Sequence, residues 1–292
     1  MQTFSTPEPI AVTVEIGAGT VRIVAGDRTD TTVEVRPGDP GRKRDVAAAD
    51  GTRVEFDAGR LAVRGPRGWR PQAFLGGYES VAVDVAVPRG SSVRCDVGGG
   101  TVRMTGVIGE CAVKTGAGEV SIGEAGPLAV HTGAGDVTVE RAGGHVDIAT
   151  GAGSVRIAAV AGTATVKSSY GDTWIGEVSG EVRVQGAHGR VTVERADATV
   201  AARTSSGDIR LGEVSGGSVE AQTAFGSVDV GIRDGVPAWL DLDTRYGAVT
   251  NRLEASGQPG AGERVVEVRA RTSYGRITVR RAQAGVAAGS DR

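Results

Sequence analysis

One phrase returns throughout this chain: Thr132-Gly133-Ala134-Gly135-Asp136-Val137-Thr138-Val139. It recurs as Thr115-Gly116-Ala117-Gly118-Glu119-Val120-Ser121-Ile122 and as Thr150-Gly151-Ala152-Gly153-Ser154-Val155-Arg156-Ile157. Its last glycine falls at Gly100, Gly118, Gly135, Gly153, Gly171, Gly189, Gly207 and Gly226, then more loosely at Gly247 and Gly275. The spacings are 18, 17, 18, 18, 18, 18 and 19, then 21 and 28. A fixed period of this size belongs to repeat architectures, in which each unit buries its apolar face only against its neighbours.

With that glycine as position zero, positions +2 and +4 are apolar, as in Val120/Ile122, Val137/Val139 and Ile209/Leu211. Positions −7 and −5 are apolar too, as in Leu128/Val130, Val182/Val184 and Leu240/Leu242. Polar residues such as Asp147, Arg183 and Glu220 alternate with them. Strict period-2 alternation in short runs predicts strands with one buried and one wet face, two strands and two turns per unit.

Position −3 holds a small hydroxyl residue in Thr115, Thr132, Thr150, Ser168, Thr204, Thr223, Thr244 and Thr272. Equivalent residues stacked about 4.8 Å apart in a parallel ladder account for that constancy, whereas an antiparallel meander would scatter them. Glycine at −2 and at zero is expected to supply the positive φ of a sharp corner. The expected fold is therefore all-β, a parallel β-solenoid (β-helix) of about 18 residues per coil.

Residues 1–92 read as an irregular β cap. The cap contains one coil-like unit, Val12–Ile23, and strand-like runs at Thr32–Val35, Arg53–Phe56, Leu61–Val63 and Val81–Val87. Charged or Gly/Pro-rich stretches at Arg36–Asp50 and Gly65–Tyr78 separate those runs. An open solenoid end needs covering, because bare strand edges invite association. The repeats proper are expected over 93–281, with insertions near Asp234–Pro237 and at Glu254–Glu263 leaving as loops, and residues 282–292 read as a disordered tail.

Composition narrows the function classes. The 47 glycines sit at fixed places between apolar residues, so they do not signal disorder. A net charge of −2 with both signs scattered removes the electrostatic case for nucleic acid or an anionic membrane. No run approaches the roughly 20 apolar residues of a membrane span. The Met1–Pro7 stretch lacks a basic start and an apolar run, so no signal peptide is expected and the expected location is cytoplasmic.

The chemistry of the repeat is sparse. A phosphate-binding glycine loop leads into a helix, and here each leads into another strand. Position +1 reads Thr101, Glu119, Asp136, Ser154, Asp172, Arg190, Asp208 and Ser227, too irregular for a calcium-binding roll. Asp172, Arg190 and Asp208 are expected to form a salt-bridge ladder instead. Cys95 and Cys111 fall at inward positions and read as core residues. His131, His145 and His188 do not converge, and the carboxylates Asp147, Asp172, Asp208, Glu220 and Asp229 are spread over several faces. No catalytic residue, metal site or cofactor is expected.

Position −1 is the exception. It is alanine in Ala117, Ala134 and Ala152, then becomes Tyr170, His188, Ser206, Phe225, Tyr246 and Tyr274. Stacked in register these would form an aromatic ladder, appearing where glycine at −2 has been replaced by Ser169, Ala187, Ser205, Ala224 and Arg245. Such a row either braces the corner or offers sugar rings and partner surfaces a large contact. The candidate ligand-binding residues are thus Tyr170, His188, Phe225, Tyr246 and Tyr274. Trp69, Phe74 and Tyr78 form a second aromatic group, expected to cover the rod or to form a contact patch.

The tandem Thr-Gly-Ala-Gly-x-Val-x-Val phrase, the Val12–Ile23 unit, Leu240-Asp241-Leu242-Asp243-Thr244 and Arg271-Thr272-Ser273-Tyr274-Gly275 resemble a bacterial β-strand-repeat family of unknown function. Members of that family carry an adhesin label. The resemblance covers nearly the whole chain and implies a β-strand-repeat fold with an adhesin-like role. The family brings no defined catalytic residues to transfer. Taken together, the expectation is a non-catalytic scaffold whose aromatic edge meets a protein or glycan partner. The alternatives are a self-assembling homo-oligomeric rod and an enzyme acting on polysaccharide.

Overall fold

A computed structural model describes residues 1–66, 79–254 and 265–282. Trp69, Phe74 and Tyr78, nearly all of the Glu254–Glu263 insertion and residues 283–292 of the expected tail lie outside them. The chain divides into two compact units, Met1–Ala161 and Gly162–Arg292.

In the first unit the repeats form two parallel ladders joined at the glycine corner. Cys111–Ala117, Leu128–Ala134 and Val146–Ala152 pair in parallel on one face, with Thr115, Thr132 and Thr150 in one row. Val120–Ala125, Val137–Ala142 and Val155–Val160 pair in parallel on the other, with Val120, Val137 and Val155 in one row. The solenoid expected from the repeat is therefore the observed fold. Inward residues of the two faces meet in a thin core of small aliphatic side chains, among them Val130, Val139, Ile148 and Ile157, each 0–1% exposed. A third inward column at +7, Ala125, Ala142 and Val160, is also buried. Alternation slips by one residue before it: Val139, Arg141 and Ala142 are paired while Glu140 is skipped. That slip turns the chain at the second corner, and simple period-2 reading passes over it.

At the start of this unit Ala11–Gly26 lies between two neighbours. It pairs in parallel with Ser92–Ile108 on one side and with Arg60–Arg64 and Val81–Pro88 on the other. The outer strands are then covered by antiparallel partners: Arg53–Asp57 on Arg60–Arg64, Asp30–Pro37 on Val81–Pro88, and Gln2–Ser5 on Asp30–Pro37. Phe4 and Phe56 stack at 4.8 Å between ring centroids. The stretch Arg36–Asp50, expected to be irregular, holds a helix over Lys43–Gly51. Its alanines favour helix, and buried Asp45 ties it down by accepting the main-chain N–H groups of Asp39 and Ser80, each at 3.1 Å. Among the described residues no helix is long and apolar enough to cross a membrane.

The second unit repeats the two-ladder plan. Ala164–Tyr170, Val182–His188, Val200–Ser206 and Gly217–Phe225 are successive parallel neighbours. On the other face so are Thr173–Val178, Val191–Ala196, Ile209–Val214 and Val228–Ile232. After this the coil order departs from chain order. Val266–Tyr274 pairs with Gly217–Phe225, and Ala238–Tyr246 lies outside it. Likewise Ile277–Arg281 sits between Val228–Ile232 and Val249–Asn251. The Asp234–Pro237 insertion, expected as a loop, forms the turn that lets the chain skip one coil position.

Both cysteines are free and 1% exposed. Burial pushes the Cys111 thiol up to about 12, and burial followed by the neighbouring Cys111 raises that of Cys95 as well. The folded state thus holds protonated thiols. The stability this confers is intact below the ordinary thiol value of about 8.5 and erodes as pH climbs from there towards about 12. Neither thiol is expected to react with an aromatic disulfide reagent at about pH 8 in the folded chain, and both react after unfolding.

Positive φ occurs at zero-position glycines such as Gly118, Gly135 and Gly153 and not, as expected, at Gly116, Gly133 and Gly151 at −2; the zero-position glycines fix the coil spacing. Gly207 has φ of +146°, and a Cβ there would stand 1.9 Å from the Gly189 carbonyl oxygen. Gly207→Ala is expected to destabilise by about 3 kcal/mol or more. At Gly17 no atom lies within 4 Å of the place a methyl group would take, so Gly17→Ala changes stability by about 0.5 kcal/mol or less. Denaturant unfolding of the two variants measures the contrast.

Candidate functional site

The corner of the second unit is assembled from the −4 to zero residues of each coil. At −3 the hydroxyls point inward and bond the main chain of the corner. Thr223 donates to the Gly207 carbonyl at 3.0 Å, Thr272 to the Gly226 carbonyl at 2.9 Å and Thr244 to the Gly275 carbonyl at 3.1 Å. Each of these bonds ties one coil to its neighbour. The row is interrupted at Gly186, and beside it the buried Ser168 hydroxyl has no partner among the described residues.

At +1, the salt-bridge ladder expected for Asp172, Arg190 and Asp208 does not form. The Asp172 carboxylate accepts the Arg190 main-chain N–H at 2.8 Å, and the Asp208 carboxylate accepts that of Ser227 at 2.8 Å. Asp136 does the same for Ser154 at 2.7 Å. A short aspartate side chain reaches the next coil's N–H more directly than it reaches a guanidinium on a long, exposed stem. Two of the other scattered carboxylates also have structural partners: Glu220 pairs with Arg203 at 2.5 Å and Asp229 with Arg280 at 2.8 Å.

The −1 residues stand in one column. Register pairs Tyr170 with His188, His188 with Ser206, Ser206 with Phe225, Phe225 with Tyr274, and Tyr274 with Tyr246. The column order therefore differs from the chain order: Tyr274 lies between Phe225 and Tyr246, because the 266–281 coil is inserted there. Two separate stacks result. Tyr170 and His188 have centroids 4.9 Å apart with planes tilted by 37°. Phe225 and Tyr274 lie 5.1 Å apart and nearly coplanar in orientation at 3°, and Tyr246 continues the stack at 4.7 Å and 13°. These separations match the distance between parallel strands, so the ladder itself sets the stacking. The rings stay open to solvent, with Tyr170, Phe225, Tyr246 and Tyr274 49–59% exposed.

In the residues just before the column, the same coils form a shallow polar cavity of about 400 Å³, lined by Gln185, Gly186, Arg203, Thr204, Ser205 and Gln222 among others. Sequence alone does not reveal it, because position −4, next to the inward −5, reads simply as an outward strand position. Its signal was present as a run of small residues at −2 next to amides at −4. In the first unit, by contrast, a Cβ at Gly133 would lie 2.4 Å from the Gly116 carbonyl oxygen. The side chains of Ser205 and Ala224 at the same place require a more open corner.

Each unit is a two-faced parallel β-solenoid; antiparallel strands cap the first coil of the first unit, and the second carries an exposed aromatic edge. The chain belongs to the Toastrack DUF4097 family, whose model matches residues 9–280. A comparison with curated proteins gave no match. Among solved structures, the chain is similar to a candidate cell adhesion protein from Clostridium sporogenes ATCC 15579. The two share 11% identity over 96% of this chain and 98% of that one, with a TM-score of 0.25. It is also similar to a candidate adhesin from Parabacteroides distasonis ATCC 8503, with 11% identity, 95% of each chain covered and a TM-score of 0.32. A candidate lipid binding protein from the same organism shares 13% identity, again over 95% of each chain, with a TM-score of 0.29. Likeness at this level carries no argument about what the present chain binds.

Proposed function

We propose that this protein is a non-catalytic binding scaffold that takes a glycan chain along the Tyr170, His188, Phe225, Tyr246 and Tyr274 edge. The observation that carries the reading is the three-ring stack of Phe225, Tyr274 and Tyr246, which remains half exposed while the hydrophobic interior is filled by aliphatic residues. Mutual stacking alone is worth only about 0.5–1.5 kcal/mol per pair. Large rings left in water gain more when a second flat apolar face covers them. Sugar rings present such faces along a chain, and a row with a regular rise can meet several at once. A protein surface is the competing occupant. The glycan assignment predicts signal on a glycan array, reduced at least tenfold in a Phe225→Ala, Tyr274→Ala double variant that still unfolds cooperatively. A silent array, or an unchanged signal in the double variant, would reject it.

A second reading, end-to-end self-assembly, has its own supporting observation. Ala238–Tyr246 is the outermost strand of its ladder among the described residues, and its inward Leu240 and Leu242 are partly exposed, unlike Val219 and Ala221 two coils in. A bare edge of this kind can add another strand. Light scattering over a wide range of concentration tests this reading. It predicts a mass that rises with concentration in the natural chain and stays monomeric in Leu242→Lys.

A further inference from the structure

The aromatic column has one missing rung. Ser206 stands in register between His188 on one side and Phe225 on the other. It is partly exposed and carries no ring. The flanking rings are two coils apart, roughly 9.6 Å at the parallel-strand spacing. Everywhere else in the column, neighbouring rings stand 4.7–5.1 Å apart. The gap is therefore one ring deep, open outward, and walled by His188 and Phe225.

The polar cavity adjoins this gap through the same three coils. Ser205 and Ala224 directly precede Ser206 and Phe225 in the chain, and both line the cavity. Gln185, Arg203 and Gln222 form one row across it. Among the described residues neither glutamine amide makes a side-chain hydrogen bond, so both keep donors and acceptors for a ligand. The Arg203 guanidinium is engaged by Glu220 at 2.5 Å, which neutralises the one positive charge in the lining. A flat anion would gain little here. A planar arene stacked at van der Waals distance would need only about 7–8 Å between the walls, whereas a pyranose chair is thicker and carries hydroxyls at its rim.

We infer that the Ser206 gap seats one ring of a neutral saccharide, stacked between His188 and Phe225 with its hydroxyls held by Gln185 and Gln222. The inference rests on the glycan-binding reading of the edge and gives that edge a specific subsite. It also explains why the column is interrupted within a unit whose other coils all carry rings at −1.

The test uses the full chain with three neutral probes, cellotriose, maltotriose and N,N′,N″-triacetylchitotriose, followed by saturation-transfer NMR and by tyrosine-fluorescence titration. At least one probe is expected to bind. Ser206→Tyr, which completes the stack, should weaken that binding tenfold or more, Gln222→Ala should weaken it several-fold, and Gly17→Ala, in the first unit, should leave it unchanged. If Ser206→Tyr lowers the unfolding temperature, Ser206→Leu fills the gap without adding a ring and takes its place. Binding that survives Ser206→Tyr but is lost in Phe225→Ala overturns the seat and leaves the edge reading standing. Binding that survives both overturns the two together. No binding by any of the three probes overturns the neutral-saccharide seat, while an array signal confined to acidic glycans would retain the edge and remove the subsite.

Discussion

Main chain resting on main chain at the glycine corner is the contact from which the rest of this molecule follows. In the first unit a methyl group at Gly118 would lie 1.7 Å from the Gly100 carbonyl oxygen, and in the second one at Gly226 would lie 2.2 Å from that of Gly207. No side chain of any kind fits at that spacing, and positive φ at both positions excludes the alternatives a second time. With the corner held this tightly, each coil must sit in register on the last. The hydroxyls of Thr223, Thr244 and Thr272 at −3 and the carboxylates of Asp136, Asp172 and Asp208 at +1 then reach across to main-chain groups of the adjacent coil.

Register in turn decides where the large side chains go. Two faces brought close together leave an interior that valine, isoleucine and alanine fill, and the largest fully buried side chains are aliphatic, Ile157, Ile175 and Leu211 among them. Rings at −1 stay outside and are brought over one another by the ladder. In the same coils glycine at −2 gives way to residues with side chains, such as Ser205 and Ala224. Side chains at −2 and a row of rings at −1 therefore appear together in the second unit, while the first keeps Gly116, Gly133 and Gly151 with alanine beside them.

Much of this was legible in the sequence because a repeat states each position many times. The two faces, the inward cysteines and the −1 column could all be read from period and alternation. What could not be read depended on geometry at single places. The aspartates at +1 read as ion-pair partners, since sequence gives charge but not the main-chain N–H lying within reach of a short side chain. The +7 core column was hidden by the extra residue that turns the chain at the second corner. The helix at Lys43–Gly51 lay in a stretch whose charges and glycines resembled a loop. The polar cavity beside Ser206 needed three neighbouring coils to be seen together.

The inserted coil near the end of the second unit has a consequence for assembly. A solenoid whose coils follow chain order can close like a zip as the chain leaves the ribosome, each coil docking on a finished template. Here the strands at 238–251 emerge before those at 266–281, yet the later pair occupies the inner place. The earlier pair must wait undocked, or dock and then yield, until the later one arrives. Closure of this unit therefore awaits the strands at 266–281, on which the earlier pair comes to rest.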